Sequence, residues 1–130
     1  MKENLIEDYK SFLNNGKTER ECVATIIAWA KQAGFKSIDE TERLCAGDKV
    51  YVQKMNKAIA LFVVGEDNIE RGMNILGAHI DSPRLDAKQN PVYEKDFVVY
   101  LNTHYYGGIK KYQWVTLPLA IHGVVCKKDG

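Results

Sequence analysis

A histidine and an aspartate two residues apart are the side chains of this sequence whose spacing best suits chemistry. His79 and Asp81 follow a short apolar run at residues 75–78 and precede Ser82-Pro83. Such a run, bounded by turn residues, predicts a buried strand of an α/β sheet, and Pro83 ends it because proline lacks the N–H that a ladder needs. The two side chains would then lie at the carboxyl end of a strand, where open α/β sheets bind their ligands.

The chemistry that this pair favours is metal binding. Residues two apart on a strand point to the same side, so the imidazole and the carboxylate would project together. A neutral imidazole is a good zinc ligand, and a carboxylate beside it can select its tautomer and raise its basicity. An ordinary histidine hydrogen-bonded to a turn aspartate has the same pattern, and a zinc site needs three or four ligands. The spacing alone leaves both interpretations open.

Other catalytic signatures are missing from the sequence. It has no G-x-G-x-x-G, P-loop, H-E-x-x-H or G-x-S-x-G motif. Ser82 is adjacent to the H-x-D, but a catalytic triad is assembled from distant parts of a chain. His122 and Cys126 are four residues apart on a predicted strand, which separates them by about 13 Å. We therefore expect neither a serine nor a cysteine hydrolase.

Composition indicates an ordinary globular protein. The 130 residues are 45% hydrophobic and 27% charged, with a formal net charge of +1. These values give no support for a nucleic-acid or membrane partner, and no apolar stretch approaches the roughly 20 residues of a membrane span. The charged N-terminal residues 1–4 do not resemble a secretory signal. Three widely spaced cysteines without a C-x-x-C pair predict reduced thiols and a cytoplasmic location.

Two helices are predicted before the first strand. Apolar residues recur at helical spacing from Leu5 to residue 13, and Asn15-Gly16 should end this helix because both tolerate the left-handed conformation. Thr18 and Glu21 form a T-x-x-E capping box that begins the second helix, and Gly34 closes it. We expect these helices to pack as a pair that covers a sheet.

Strands are predicted from there onward. Residues 49–54 and 58–65 read as a hairpin with its turn at 55–57 and with the second strand the more buried. Residues 84–88 can be extended before a turn at 89–91, and further strands are predicted at 97–101 and within 114–125. The pair Gly107-Gly108 could adopt positive φ or let the backbone approach a ligand.

Several motifs together resemble one family. They are G-A-H-I-D-S-P-R-L at 77–85, Lys88, Y-G-G at 106–108, Trp114, P-L at 118–119 and G-V-V at 123–125. Across nearly the whole chain, these residues and the paired N-terminal helices resemble the zinc aminopeptidases of the aspartyl aminopeptidase family. The resemblance implies an α/β fold in which the helix pair packs on a mixed β-sheet, the start of a two-metal exopeptidase α/β sandwich. Residues 1–130 would be the N-terminal part of the catalytic domain, ending near the start of an inserted dimerisation domain.

The same resemblance implies roles for the two site residues. His79 would bind one of two zinc ions, while Asp81 would orient this histidine rather than bind metal. The metals would activate a water, a glutamate would act as general base, and the substrates would be peptides with an acidic or neutral N-terminal residue. Relatives of this kind form dimer-based homo-oligomers, up to a dodecamer.

The remaining metal ligands of the family lie downstream of the H-x-D region, and the sequence ends at Gly130. Since one histidine cannot hold a zinc ion, we expect the 130-residue chain to be inactive alone. An alternative is a non-catalytic fragment or assembly module that binds partners through exposed sheet edges. A small-molecule-binding domain is a third hypothesis, supported only by the glycine pair.

Overall fold

The computed structural model describes residues 4–129, which divide into two compact units with the boundary along the chain between Asp81 and Ser82. Gly130 lies outside the described residues. So do residues 1–3, which make up most of the N-terminal stretch that was compared with a secretory signal. The first unit contains α1 (Leu5–Asn15), α2 (Glu19–Gln32), β1 (Lys36–Ser37), β2 (Lys49–Lys54), β3 (Ala58–Val63) and two 3-10 turns (Ile38–Glu40 and Ile69–Arg71). The second contains β4 (Arg84–Lys95), β5 (Val98–Tyr106) and α3 (Lys111–Trp114). None of the helices described between residues 4 and 129 has the length and apolar composition needed to span a bilayer.

The capping box at the start of α2 is confirmed. The Thr18 hydroxyl accepts a hydrogen bond from the Glu21 N–H at 3.3 Å. In return the Glu21 carboxylate accepts one from the Thr18 N–H at 2.8 Å. Two N–H groups at the helix start that have no intrahelical partner are thereby satisfied, so α2 begins where the sequence predicts.

The end of α1 at Asn15 is also confirmed, but for a different reason from the one expected. Gly16 has a φ of −94°, so it is not in the left-handed region. A Cβ atom at this position would lie 2.6 Å from the Sγ atom of Cys22. A side chain at position 16 would therefore have to displace the Cys22 thiol, and glycine leaves room for it.

The helix pair packs on a mixed sheet, as predicted. The strand order is β1-β2-β3, with β1 parallel to β2 and β2 antiparallel to β3. Helix α2 lies against β2 and β3, and α1 packs on α2. The rings of Phe12 and Trp29 lie 5.5 Å apart between the two helices.

The buried core of the first unit lies between α2 and β2. Its members are Cys22, Val23 and Ala30 from the helix and Val50 and Tyr51 from the strand. The prediction that the second hairpin strand is the more buried is wrong, because no residue of β3 is buried. Among the described strands, β2 has a neighbour on each side, whereas β3 lies at the edge of the sheet.

Residues with positive φ form the turns of both hairpins. Met55 and Asn56 have φ of 52° and 56°, which confirms the turn predicted between β2 and β3. The turn predicted at 89–91 is wrong: β4 continues through it with a bulge between Ala87 and Val92. The bulge removes the need for a ladder N–H, so a proline is accommodated within the strand. The chain turns instead at Asp96 and Phe97 (φ 54° and 61°).

Beyond β5, the prediction of a strand within residues 114–125 is wrong. Helix α3 ends at Trp114, and no regular secondary structure is found from there to residue 129. Val115 and Val125 are 81% and 89% exposed. Apolar, β-branched composition favours a strand, but a strand also needs a neighbouring edge to satisfy its backbone groups, and none among the described residues pairs with this segment.

Candidate functional site

His79 and Asp81 lie in a segment without regular secondary structure, residues 73–83. The prediction of a buried strand leading into His79 is wrong, since Ile75 and Leu76 are 80% and 101% exposed. No described strand pairs with this segment, so its backbone lacks the ladder that would define a strand. The two side chains are nevertheless brought together, by local hydrogen bonds.

Two oxygen atoms of Asp81 face one nitrogen of the imidazole. Nδ1 of His79 lies 2.9 Å from the main-chain carbonyl oxygen of Asp81 and 3.1 Å from its carboxylate Oδ1. A carbonyl oxygen can only accept, so Nδ1 must be the protonated nitrogen and the donor. In the neutral ring, Nε2 then holds the lone pair. The side chain of His79 is 83% exposed and that of Asp81 34%, so Nε2 is accessible.

This arrangement has the chemistry of one metal ligand. A metal-binding histidine commonly donates its second ring N–H to a carboxylate or a backbone carbonyl, which selects the tautomer and orients the ring. Here Asp81 provides both acceptors. The assignment of His79 as a ligand and of Asp81 as its orienting residue stays a prediction.

A complete zinc site is not formed by these residues. Within residues 4–129, no three histidine, cysteine, aspartate or glutamate side chains are grouped so that they could hold a metal ion. Zinc needs three or four such ligands. His104, on β5, places its Nδ1 3.3 Å from the carbonyl oxygen of Tyr105. The described chain therefore fits zinc at one ligand position only.

Sequence reasoning missed a contact between α2 and this segment. The thiol of Cys22 lies 3.6 Å from the main-chain oxygen of Ile80, the residue between His79 and Asp81. Cys22 is 2% exposed, and burial, followed by the nearby charges of Glu21 and Glu19, raises the pKa of its thiol. No local signal in the sequence indicates a partner for Cys22 that lies 58 residues away.

In the second unit, the structure brings together residues from two of the motifs. Gly107 has a φ of +70°, as the glycine pair allows, and a Cβ there would lie 3.4 Å from Pro83. Arg84 pairs with Tyr106 in the β4–β5 register, and its guanidinium lies 4.2 Å from the centre of that ring. The positive φ of Gly107 thus explains a glycine at this position without a ligand.

Comparison with known proteins identifies relatives over almost the whole chain. Residues 12–130 match the family described as aminopeptidase I zinc metalloprotease (M18). A probable M18 family aminopeptidase 1 of Clostridium acetobutylicum is 56% identical over 126 residues, covering 94% of this chain and 27% of that protein. The corresponding protein of Thermotoga maritima is 45% identical over 128 residues, covering 95% of this chain and 27% of that protein.

Solved structures give the same result. The crystal structure of an M18 aminopeptidase from Thermotoga maritima has a TM-score of 0.90 at 44% identity, covering 98% of this chain and 28% of that one. Aminopeptidase I from Clostridium acetobutylicum has a TM-score of 0.79 at 55% identity, covering 95% of this chain and 28% of that one. The chain spans little more than a quarter of the length of these relatives. It belongs to the M18 family of zinc metallopeptidases, the aminopeptidase I family.

Proposed function

We propose that residues 1–130 are the N-terminal part of the catalytic domain of a zinc-dependent aminopeptidase, ending near the start of an inserted dimerisation domain. The family match over residues 12–130 supports this proposal. So do relatives named as M18 aminopeptidases that the chain matches at 44–56% identity. Because the chain covers 27% or 28% of these relatives, the activity is proposed for the whole protein.

The observation on which the site assignment rests is the pair of hydrogen bonds at His79 Nδ1. They hold the proton on Nδ1 and leave Nε2 as the accessible electron-pair donor. We assign His79 as one ligand of the zinc site and Asp81 as the residue that orients it. The other ligands and the general base would come from parts of the whole protein outside these residues.

The contribution of this chain to the reaction is positional. Asp81 keeps the Nδ1 proton in place, so the ring presents Nε2 to a metal without a tautomer change. When bound, zinc supplies Lewis-acid polarisation of the scissile carbonyl and lowers the pKa of a bound water. The side chain of His79 is largely exposed, so a metal bound at its Nε2 would be open to further ligands.

The substrates are peptides, and we propose that their N-terminal residue is acidic or neutral. The support for this finer statement is the resemblance of residues 77–85 and 106–108 to aspartyl aminopeptidases. We also propose a cytoplasmic location, with no nucleic-acid or membrane partner. The three cysteines, all unpaired in the structure, are compatible with a reducing compartment.

A second candidate function, association through sheet edges, is favoured by the β4–β5 hairpin. Every residue of β5 is exposed, and Tyr93 and Tyr100 stack at 5.2 Å while remaining 48% and 40% exposed. An exposed apolar surface on a long two-stranded ribbon invites pairing with another chain. We propose that this surface takes part in the dimer-based homo-oligomer.

The test of the proposed function is His79→Ala in the whole protein. We expect loss of bound zinc and of hydrolysis of aminoacyl p-nitroanilides, because the removed imidazole is a metal ligand. Zinc is measured by atomic absorption on the purified protein. The matched control, His104→Ala, should retain its zinc. Unchanged zinc content and turnover in His79→Ala would contradict the assignment.

A further inference from the structure

The backbone around His79 needs support that its own segment does not provide. Residues 73–83 form neither helix nor strand, so no ladder of backbone hydrogen bonds defines their conformation. The hydrogen bonds from Nδ1 span only two residues and require Asp81 to be correctly placed relative to His79. A contact from a rigid element is one way to hold that placement.

Helix α2 provides such a contact through Cys22. Its Sγ lies 3.6 Å from the carbonyl oxygen of Ile80 and 3.7 Å from that of Gly16. The main-chain N–H of Cys22 donates to the Thr18 carbonyl at 3.0 Å, in the first turn after the capping box. Gly16 approaches so closely that a Cβ there would lie 2.6 Å from Sγ. The thiol is thus confined between the α1–α2 connection and residue 80.

Both neighbours of the thiol are carbonyl oxygens, which can only accept. Cys22 must therefore act as an S–H donor, and a thiol proton can be shared between two acceptors. Burial raises the pKa of this thiol, which keeps it protonated and able to donate. The S–H···O hydrogen bond is weak, but little water competes with it, because Cys22 is almost completely buried.

The geometry points to Cys22 as a positioning residue for His79. The Ile80 carbonyl and the Asp81 nitrogen belong to one planar peptide unit. Holding the carbonyl therefore also fixes the direction of the bond from this carbonyl group to the Asp81 nitrogen. Asp81 in turn provides both acceptors for His79 Nδ1. We propose that the Cys22 thiol, acting through Ile80, maintains the Nδ1–H tautomer of His79.

The first test uses the 130-residue chain and requires no metal. The tautomer of His79 is read from the ¹⁵N chemical shifts of its imidazole, at a pH where the ring is neutral. In Cys22→Ala we expect the ratio of Nδ1–H to Nε2–H to fall about two- to threefold, the size expected for loss of one weak neutral hydrogen bond. Cys22→Ser, which keeps a donor, should restore the ratio at least in part.

Two further variants separate positioning from general stability. Val23→Ala removes packing from the same helical turn, where Val23 is 1% exposed, but removes no donor. It should leave the ratio unchanged. Gly16→Ala keeps the thiol but displaces it, so it should lower the ratio as Cys22→Ala does, and it provides the result if Cys22→Ala fails to fold. The proposal is overturned if the ratio is unchanged in Cys22→Ala or Gly16→Ala. It is also overturned if Val23→Ala changes the ratio equally.

A second readout rests on the proposed function and uses the whole protein. If His79 binds zinc, Cys22→Ala should weaken zinc affinity by about tenfold, the lower end of the range for groups that orient a ligand. The positioning role of Cys22 and the assignment of His79 as a zinc ligand can be disproved separately. A changed tautomer with unchanged zinc affinity leaves the positioning role intact and counts against His79 as a ligand. An unchanged tautomer removes the role of Cys22, whatever His79→Ala does to the zinc content.

Discussion

At the scale of single residues, Asp81 makes two different contacts with one nitrogen. Its backbone carbonyl lies 2.9 Å from His79 Nδ1 and its carboxylate 3.1 Å. The carbonyl alone is sufficient to select the tautomer, because it cannot donate. The carboxylate adds negative charge beside the ring, which strengthens Nε2 as an electron-pair donor. The two effects can therefore be separated by changing the side chain only.

Asp81→Asn makes this separation in the whole protein. The main-chain acceptor remains, so the Nδ1–H tautomer should persist, but zinc affinity should fall by about 10- to 100-fold because the charge is lost. Competition with a chromophoric chelator measures the affinity. The matched control is Asp67→Asn, which removes an exposed carboxylate paired with Arg71 at 3.1 Å. Equal affinities for Asp81→Asn and the parent protein would show that the carboxylate does not tune a ligand.

At the scale of elements, the β4–β5 hairpin contains a turn with an unusual residue. Asp96 and Phe97 have φ of 54° and 61°, the conformation in which a two-residue hairpin turn is normally Asn-Gly or Asp-Gly. The left-handed region is unfavourable for a residue with a Cβ. Phe97 is 98% exposed, so its ring has no burial to offset this cost.

Phe97→Gly should stabilise the hairpin. We expect the free energy of unfolding to rise by about 1 kcal/mol, because the cost of the left-handed conformation for a residue with a Cβ is removed. Urea denaturation followed by tyrosine fluorescence measures the change. Phe97→Ala is the matched control: it loses the same exposed ring but keeps the positive φ on a residue with a Cβ, so it should show no gain. A gain of equal size in both variants would contradict the role assigned to backbone strain.

At the scale of the whole molecule, the buried core is small and the exposed apolar surface is large. The buried apolar residues of the described chain come from α2 and β2. By contrast, β5 exposes Val98, Val99, Tyr100 and Leu101 by 40–69%. Surfaces of this kind on a protein commonly mark sites of association.

Tyr100→Lys tests whether the hairpin is such a site. We expect the 130-residue chain to sediment as a concentration-dependent oligomer and the variant to shift toward the 14.7 kDa monomer. A charge on this face would have to be desolvated in an interface, which opposes association. Tyr112→Lys makes the same chemical change at a site that is 76% exposed and outside the hairpin, and it should leave the oligomer unchanged. A monodisperse monomer for the unmodified chain would remove the support for association through this surface.

Features that depend on neighbours a few residues away could be predicted from the sequence. The Thr18–Glu21 capping box and the turn at Met55-Asn56 are confirmed, because their hydrogen bonds and backbone conformations are set locally. The proximity of His79 and Asp81 was likewise predictable, although the expected strand geometry was wrong. Hydrogen bonds within three residues produce the contact instead.

Features that depend on distant partners were decided only by the tertiary structure. An apolar run becomes a strand only if another edge satisfies its backbone, and no described strand does so for residues 75–81. The greater burial of β2 follows from its central place in the sheet, and the restricted space at Gly16 follows from the approach of Cys22. The family and the H-x-D pair could be recognised from the residues alone. The contact from Cys22 to Ile80 required the fold, because residues 58 positions apart meet only after helix and segment have packed.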